Sequence, residues 1–225
     1  MASTGMRIGA IPDLKLKHLK EISSKDNENQ LYKITIYEKS KEKYYTFCSH
    51  ECFSVLKSYL TYREKSSEKL DGESYLIREQ FDINYFEQIR KKSRKVSLST
   101  IKNIIIVLLR KAGLRELDHN YHCGERESIP MSHGFRKFWT TQAVKSKMPA
   151  EQREMLLGHR IGLASAYYRP SEEDLLDAYL IAVDNLTINE ENRLKKKVTE
   201  LQIKYDKIDA LVSRIDYLEK QLGSN

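Results

Sequence analysis

The chain has 225 residues, enough for one domain with an appendage, and 40% of them are hydrophobic, enough for a core. Charged residues reach 32% and the formal net charge is +7, a balance that favours polyanions: DNA, RNA or an anionic membrane surface. No apolar run approaches membrane-span length, no leader pattern opens the chain, and three cysteines (Cys48, Cys52, Cys123) fit a reducing, intracellular compartment without a disulfide framework.

In chain order, "STGMRIGAIPDLKLKHLKEI" passes from small residues into an amphipathic stretch with Leu14, Leu16, Leu19 and Ile22, broken at Pro12. "LYKITIYEKSKEKYYTF" (31–47) alternates and is rich in Ile, Thr and Tyr, which predicts a β-hairpin with "EKSKEK" at its tip. "SHECFSVLKSYLTYREKSSEK" has helical spacing at Phe53, Leu56, Tyr59 and Leu60, with Ser49 as N-cap. "ESYLI" (73–77) reads as a short strand, and 78–97 is polar and basic. "SLSTIKNIIIVLLRKAG" (97–113) predicts a buried helix ending at Gly113, and 115–130 reads as a loop. Helices follow over "MSHGFRKFWTTQAVKSK", over "PAEQREMLLGH" between Pro149 and Gly158, and over "SEEDLLDAYLIAVDNL", where Ser171 and Asp174 form a capping pair.

The last segment differs in kind. Leu194, Val198, Leu201, Tyr205, Ile208, Val212, Ile215 and Leu222 fall at alternating steps of four and three, broken only by Glu219, and so mark a heptad seam. Residues 189–225 hold eight Lys/Arg and seven Asp/Glu, which leaves +6 of the net charge in the first 188 residues. A polyanion site is therefore expected in residues 1–188, and self-association in 189–225.

Several side chains carry chemistry. "HGFRKFWTT" sets His133 and Arg136 three apart on one helical face. "LLGH" ends a helix at His159. "TGMRIGAI" flanks Arg7 with Gly5 and Gly9, whose small size allows close approach. The hairpin tip carries Lys39, Lys41 and Lys43, and "LASAYYRP" carries Tyr167 and Tyr168. Taken singly, each has a plain structural explanation: a surface pair, a cap, a solvated tip, packed aromatics. Taken together they suit the holding of a phosphodiester while a phenolate attacks it. Two guanidiniums grip non-bridging oxygens, a histidine adds a hydrogen bond, a lysine protonates the leaving 5′-oxygen, and the cationic site favours ionisation of a tyrosine. This chemistry needs no metal and no cofactor. "CSHEC" (48–52) and "HNYHC" (119–123) lack the usual zinc spacing.

In order and spacing these motifs resemble the tyrosine recombinase (phage-type integrase) family, closest to its archaeal and Xer-like members. "TGMRIGAI" is similar to the box of the first arginine, "YEKSKEKYYTF" to the lysine hairpin, "HGFRKFWTTQAV" to the His-x-x-Arg box, and "LLGHRIGLASAYYRP" to the Leu-Gly-His box with its nucleophile. The family sets the nucleophile nine residues after that histidine, which selects Tyr168 over Tyr167. The resemblance spans roughly residues 3–187 and implies an α+β fold: a mainly helical catalytic domain over 1–188 with a small antiparallel sheet, followed by the coiled-coil-like helix of 189–225. It implies site-specific cleavage and rejoining of double-stranded DNA through a 3′-phosphotyrosyl intermediate. The implied catalytic set is Arg7, Lys39 (Lys41 in reserve), His133, Arg136, His159 and Tyr168. DNA contacts are expected from Lys41, Lys43, Lys91, Lys92, Arg94 and Lys95, no membrane contact is expected, and the expected location is the cytoplasm, on the nucleoid.

Three departures stand out. Ala10 occupies the place of an acid that often buttresses the first arginine. The hairpin turn is one residue shorter than in the bacterial pattern. The chain begins almost at Arg7, so the expectation is a catalytic domain without the N-terminal helical domain that clamps DNA. Two alternatives follow: a non-catalytic DNA-binding or oligomerisation fragment, and a type IB topoisomerase-like relaxing enzyme.

Overall fold

The computed structural model describes residues 1–23, 30–82, 84, 93–114, 131–162 and 168–222. They fall into two compact units, Met1–Leu186 and Thr187–Asn225.

At the centre of the first unit is a three-stranded antiparallel sheet, ordered β1 (Leu19–Ser23), β2 (Gln30–Ile36), β3 (Tyr44–Phe47). Leu19 pairs with Ile34, Ile36 with Tyr44, and Lys33 with Phe47. The alternation of β2 sends Tyr32, Ile34 and Ile36 to one face. There they join Met6, Ala10, Leu14, Phe53 and Leu76 in one core. On the other face Phe47 joins Trp139, Leu156, Leu157 and Tyr179 in a second core. The sheet is thus covered on both sides, and the expected hairpin over 31–47 is present. Its turn is closed by Ser40 N donating to Tyr37 O (2.9 Å) and Lys43 N to Ser40 O (3.1 Å).

Six α-helices lie among the described residues: α1 (His50–Lys65), α2 (Leu98–Lys111), α3 (His133–Lys145), α4 (Ala150–Leu156), α5 (Glu172–Leu186) and α6 (Glu190–Leu222). The chain is α+β, mainly helical with one small sheet. Ser49 caps α1 as its sequence predicts, its hydroxyl accepting from Cys52 N at 3.4 Å. At α5 the Ser171 amide and hydroxyl donate to Asp174 Oδ2 at 2.8 and 2.9 Å, and Asp174 N donates back to Ser171 Oγ at 3.1 Å. This reciprocal cap satisfies amides that the first turn leaves without partners.

Three expectations are corrected. The stretch before β1 is two short 3-10 turns, Ile8–Asp13 and Leu16–His18, and Pro12 lies buried inside the first. "ESYLI" is no strand: only single bridges, Lys15 with Tyr75 and Arg78 with Lys95, form along it. The Arg63 guanidinium takes the Tyr75 and Leu76 carbonyls (2.7 and 3.1 Å) that a ladder would have used. Finally, α2 buries one stripe, Ile101 and Ile105, while Ile104, Val107 and Leu108 on its other side are exposed. An uninterrupted apolar run carries no periodicity, so it gave no sign of that division. The predicted loop over 115–130 lies outside the described residues.

The second unit is α6, 33 residues long. Its seam from Leu194 to Ile215 is exposed throughout, from 48% at Val212 to 70% at Tyr205. Among the described residues no helix is long and apolar enough to cross a membrane.

Candidate active site

The site begins with a strap at the chain's start. Three consecutive carbonyls of "STG" each take a side-chain donor. Trp139 Nε1 (3.1 Å) and Tyr179 Oη (2.8 Å) donate to Ser3 O, Thr46 Oγ1 to Thr4 O (2.8 Å), and Arg136 Nη1 to Gly5 O (2.6 Å). Gly5 has φ +63, and a Cβ there would lie 2.9 Å from Leu157 Cδ2 and Trp139 Cδ2. Only glycine fits both the turn and the close packing, and two residues later the strap delivers Arg7.

A second device sits at the end of α4. Gly158 N donates to Met155 O (2.9 Å) and His159 N to Glu154 O (3.0 Å), with Gly158 at φ +68. That bonding reverses the chain in a left-handed C-cap. The Tyr44 ring fills the space beside it, so that a Cβ on Gly158 would lie 2.5 Å from two ring carbons. The reversal presents His159 to Arg136, whose Nη2 lies 2.8 Å from His159 Nε2 and 3.2 Å from Leu157 O. Arginine can only donate, so Nε2 accepts. The proton of the neutral ring then sits on Nδ1, 2.6 Å from Glu154 Oε2. Burial alone would raise the Glu154 pKa, but the hydrogen bonds from His159 and Arg153 and the Arg153 charge outweigh it and hold it below the ordinary value.

Arg136 is half-buried, and desolvation lowers its pKa, with the Arg7 charge adding to that and Tyr44 opposing it. Tyr44 is pushed up by burial, against the pull of Arg136 and Arg7. Its hydroxyl is buried close to Arg136 and to the Arg7 backbone, yet meets no partner in hydrogen-bonding geometry among the described residues.

These elements surround an open hollow of about 740 Å³ lined by Arg7, Lys41, Lys43, His159, Arg160 and Tyr168, with Glu42, Tyr44 and Gly158 also in its walls. Tyr168 is exposed (39%), and its oxygen accepts from Gln152 Nε2 at 3.0 Å. Arg7, the hairpin lysines, the His159–Arg160 pair and Tyr168, from four separate stretches of sequence, line one space, beside Tyr44 and Tyr45. Cationic donors so gathered can make charge-assisted hydrogen bonds to an anion.

Residues 1–174 match the model of the phage integrase family. The chain belongs to that family. A solved structure described as "Crystal structure of XerH site-specific recombinase bound to difH substrate: pre-cleavage complex" is similar at 20% identity and a TM-score of 0.47; the match covers 74% of this chain and 39% of that one. The chain thus spans about two-fifths of the length of that protein. No protein with a curated description matches.

Within this phage integrase family member the structure sorts the expected residues. Arg7, His159 and Tyr168 line one hollow, and Arg136 joins them through His159. Of the hairpin lysines, Lys41 and Lys43 line it; Lys39 lines a different hollow, with Ala10, Asp13 and His18. His133 is exposed at the first residue of α3 and outside the lining. Arg94 lies 3.9 Å from Glu79, and Lys95 is paired with Asp13 at 2.7 Å, so neither is a bare cation. Lys91, Lys92, Tyr167 and the "HNYHC" stretch lie outside the described residues.

Four residues of this site were not singled out from the sequence: Tyr44, Gln152, Glu154 and Arg160. Glu154 stands five before His159, a spacing that means something only once the left-handed cap is known. Gln152 and Tyr168 are sixteen apart and carry no local signal.

Proposed function

We propose that the chain is a DNA strand-cleaving and rejoining tyrosine recombinase domain in which Tyr168 is the nucleophile. The observation that carries this reading is the convergence of Arg7, Lys41, His159 and Tyr168 on one hollow, with Arg136 bonded to His159. Tyr168 Oη attacks the phosphorus of a duplex DNA phosphodiester, its proton passing to solvent. Arg7 and Arg136 stabilise the charge on the non-bridging oxygens, and His159 adds a hydrogen bond. The bond to the 5′-oxygen breaks and that oxygen takes a proton from Lys41, chosen over Lys39 because it lines the hollow. A 3′-phosphotyrosyl bond and a 5′-hydroxyl result. Attack by a 5′-hydroxyl on that bond reseals the strand without a nucleotide cofactor, because the bond energy is conserved. Self-association runs through the exposed seam of α6, residues 190–222.

One observation favours a non-catalytic, DNA-binding reading instead: Arg136 spends its guanidinium on Gly5 O, Leu157 O and His159. A nicked suicide substrate separates the two. The wild-type chain is expected to accumulate a covalent protein–DNA adduct, and Tyr168→Phe to bind DNA without forming it. Salt-sensitive binding with no adduct from the wild type would support the non-catalytic reading. Adduct loss in Tyr167→Phe but not in Tyr168→Phe would move the nucleophile.

A further inference from the structure

Beside the proposed nucleophile lies a polar side chain that the cleavage scheme leaves unused. Gln152, on α4, is 8% exposed, and its Nε2 lies 3.0 Å from Tyr168 Oη and 3.4 Å from the Asp174 carbonyl. The carbonyl settles which end of the amide faces this way. It can only accept, so the nitrogen must point at it. The same nitrogen therefore donates to Tyr168. The phenol oxygen uses a lone pair for Gln152, and its own proton is free to point elsewhere and leave. Asp174 is itself fixed by the reciprocal cap with Ser171, so the amide is anchored from α5 as well as from α4.

A donor held on a phenol oxygen does more for the anion than for the neutral form, because hydrogen bonds to charged groups are the stronger ones. We propose that Gln152 is a positioning residue for strand cleavage, which holds the Tyr168 oxygen and favours its ionised form. This rests on the reading of Tyr168 as nucleophile. Glu154, two residues along the same short helix, orients His159, so α4 sets two groups of the site at once.

The test is the pH profile of adduct formation on the suicide substrate, measured under single turnover. In Gln152→Leu the donor is lost, and the rise of rate with pH is expected to move upward by about one pH unit. The shift is kept modest because Tyr168 is partly open to solvent. Gln152→Glu keeps the shape of the side chain but sets a carboxylate against the developing phenolate, and a larger upward shift is expected. Thermal melting of both variants checks that they fold; the near-isosteric Gln152→Glu serves if Gln152→Leu does not. A uniform fall in rate with an unmoved profile in both would show a structural role only and overturn the proposal. An adduct that persists in Tyr168→Phe would instead overturn the reading of the nucleophile.

Discussion

Two pairs of arginines in this chain are held in opposite ways. Arg63 and Arg78 are buried around one carboxylate. Glu68 accepts from Arg63 Nε at 2.9 Å and Nη2 at 2.7 Å, and from Arg78 Nη1 at 2.9 Å. Arg63 also supplies the Tyr75 and Leu76 carbonyls. Arg7 and Arg136 feel each other's charge, but among the described residues no carboxylate is hydrogen-bonded to either. Glu154, whose charge acts on Arg136, is hydrogen-bonded to His159 and Arg153 instead. A guanidinium pair with its own carboxylate is part of the scaffold. A pair without one repels itself, half-buried, and that cost is recovered when an anion enters.

This contrast is broken most severely by Glu68→Ala. It leaves two buried guanidiniums without a counter-charge and should cost about 3–5 kcal/mol of unfolding free energy, read from denaturant melts. The wild-type pair also has a pH signature. Burial pushes the Glu68 pKa up, but Arg63 and Arg78 together hold it below the ordinary 4.5. Its contribution to stability is therefore full above about pH 4.5 and is lost as pH falls through the lower folded value. A stability–pH curve that stayed flat on acidification through this range would contradict the account.

Arg7→Ala should do the reverse. Stability is expected to stay within about 0.5 kcal/mol of wild type, while adduct formation falls by about 10²–10³-fold, as for loss of a donor to transition-state charge. A large loss of stability would put Arg7 with Arg63, in the scaffold. Smaller again is Gly158→Ala. The left-handed backbone alone costs about 1–2 kcal/mol, and the contact with Tyr44 adds to it. Melting and adduct yield should fall together, because the change displaces His159. Smallest for the domain is truncation near residue 188. It should leave the melting of residues 1–186 unchanged and abolish self-association in sedimentation. An unchanged oligomeric state would remove the role given to α6.

The sequence made periodic and punctuated elements legible: the hairpin, the Ser49 and Ser171 caps, and the glycine after α4. It did not reveal the division of α2 into buried and exposed sides, because an unbroken run of Ile, Val and Leu has no polar face to mark. It also did not reveal that "ESYLI" gives two of its carbonyls, those of Tyr75 and Leu76, to the Arg63 side chain rather than to a ladder. Within the site, residues inside compact motifs were readable, such as Arg136 and His159. Those whose roles depend on approach across the fold were not, as with Tyr44 against Gly158 and Gln152 against Tyr168. The hairpin lysine shows the limit. The resemblance favours Lys39 with Lys41 in reserve, and in the folded chain Lys41 and Lys43 line the hollow while Lys39 lines another.

The central claim is that the hollow beside Arg7 and His159 is where Tyr168 meets DNA. Its most direct test is mass-spectrometric mapping of the protein–DNA adduct trapped on a suicide substrate. The account expects the nucleotide remnant on the Tyr168 phenol. A remnant on Tyr167 or any other residue, or no adduct from a folded, DNA-bound chain, would contradict it.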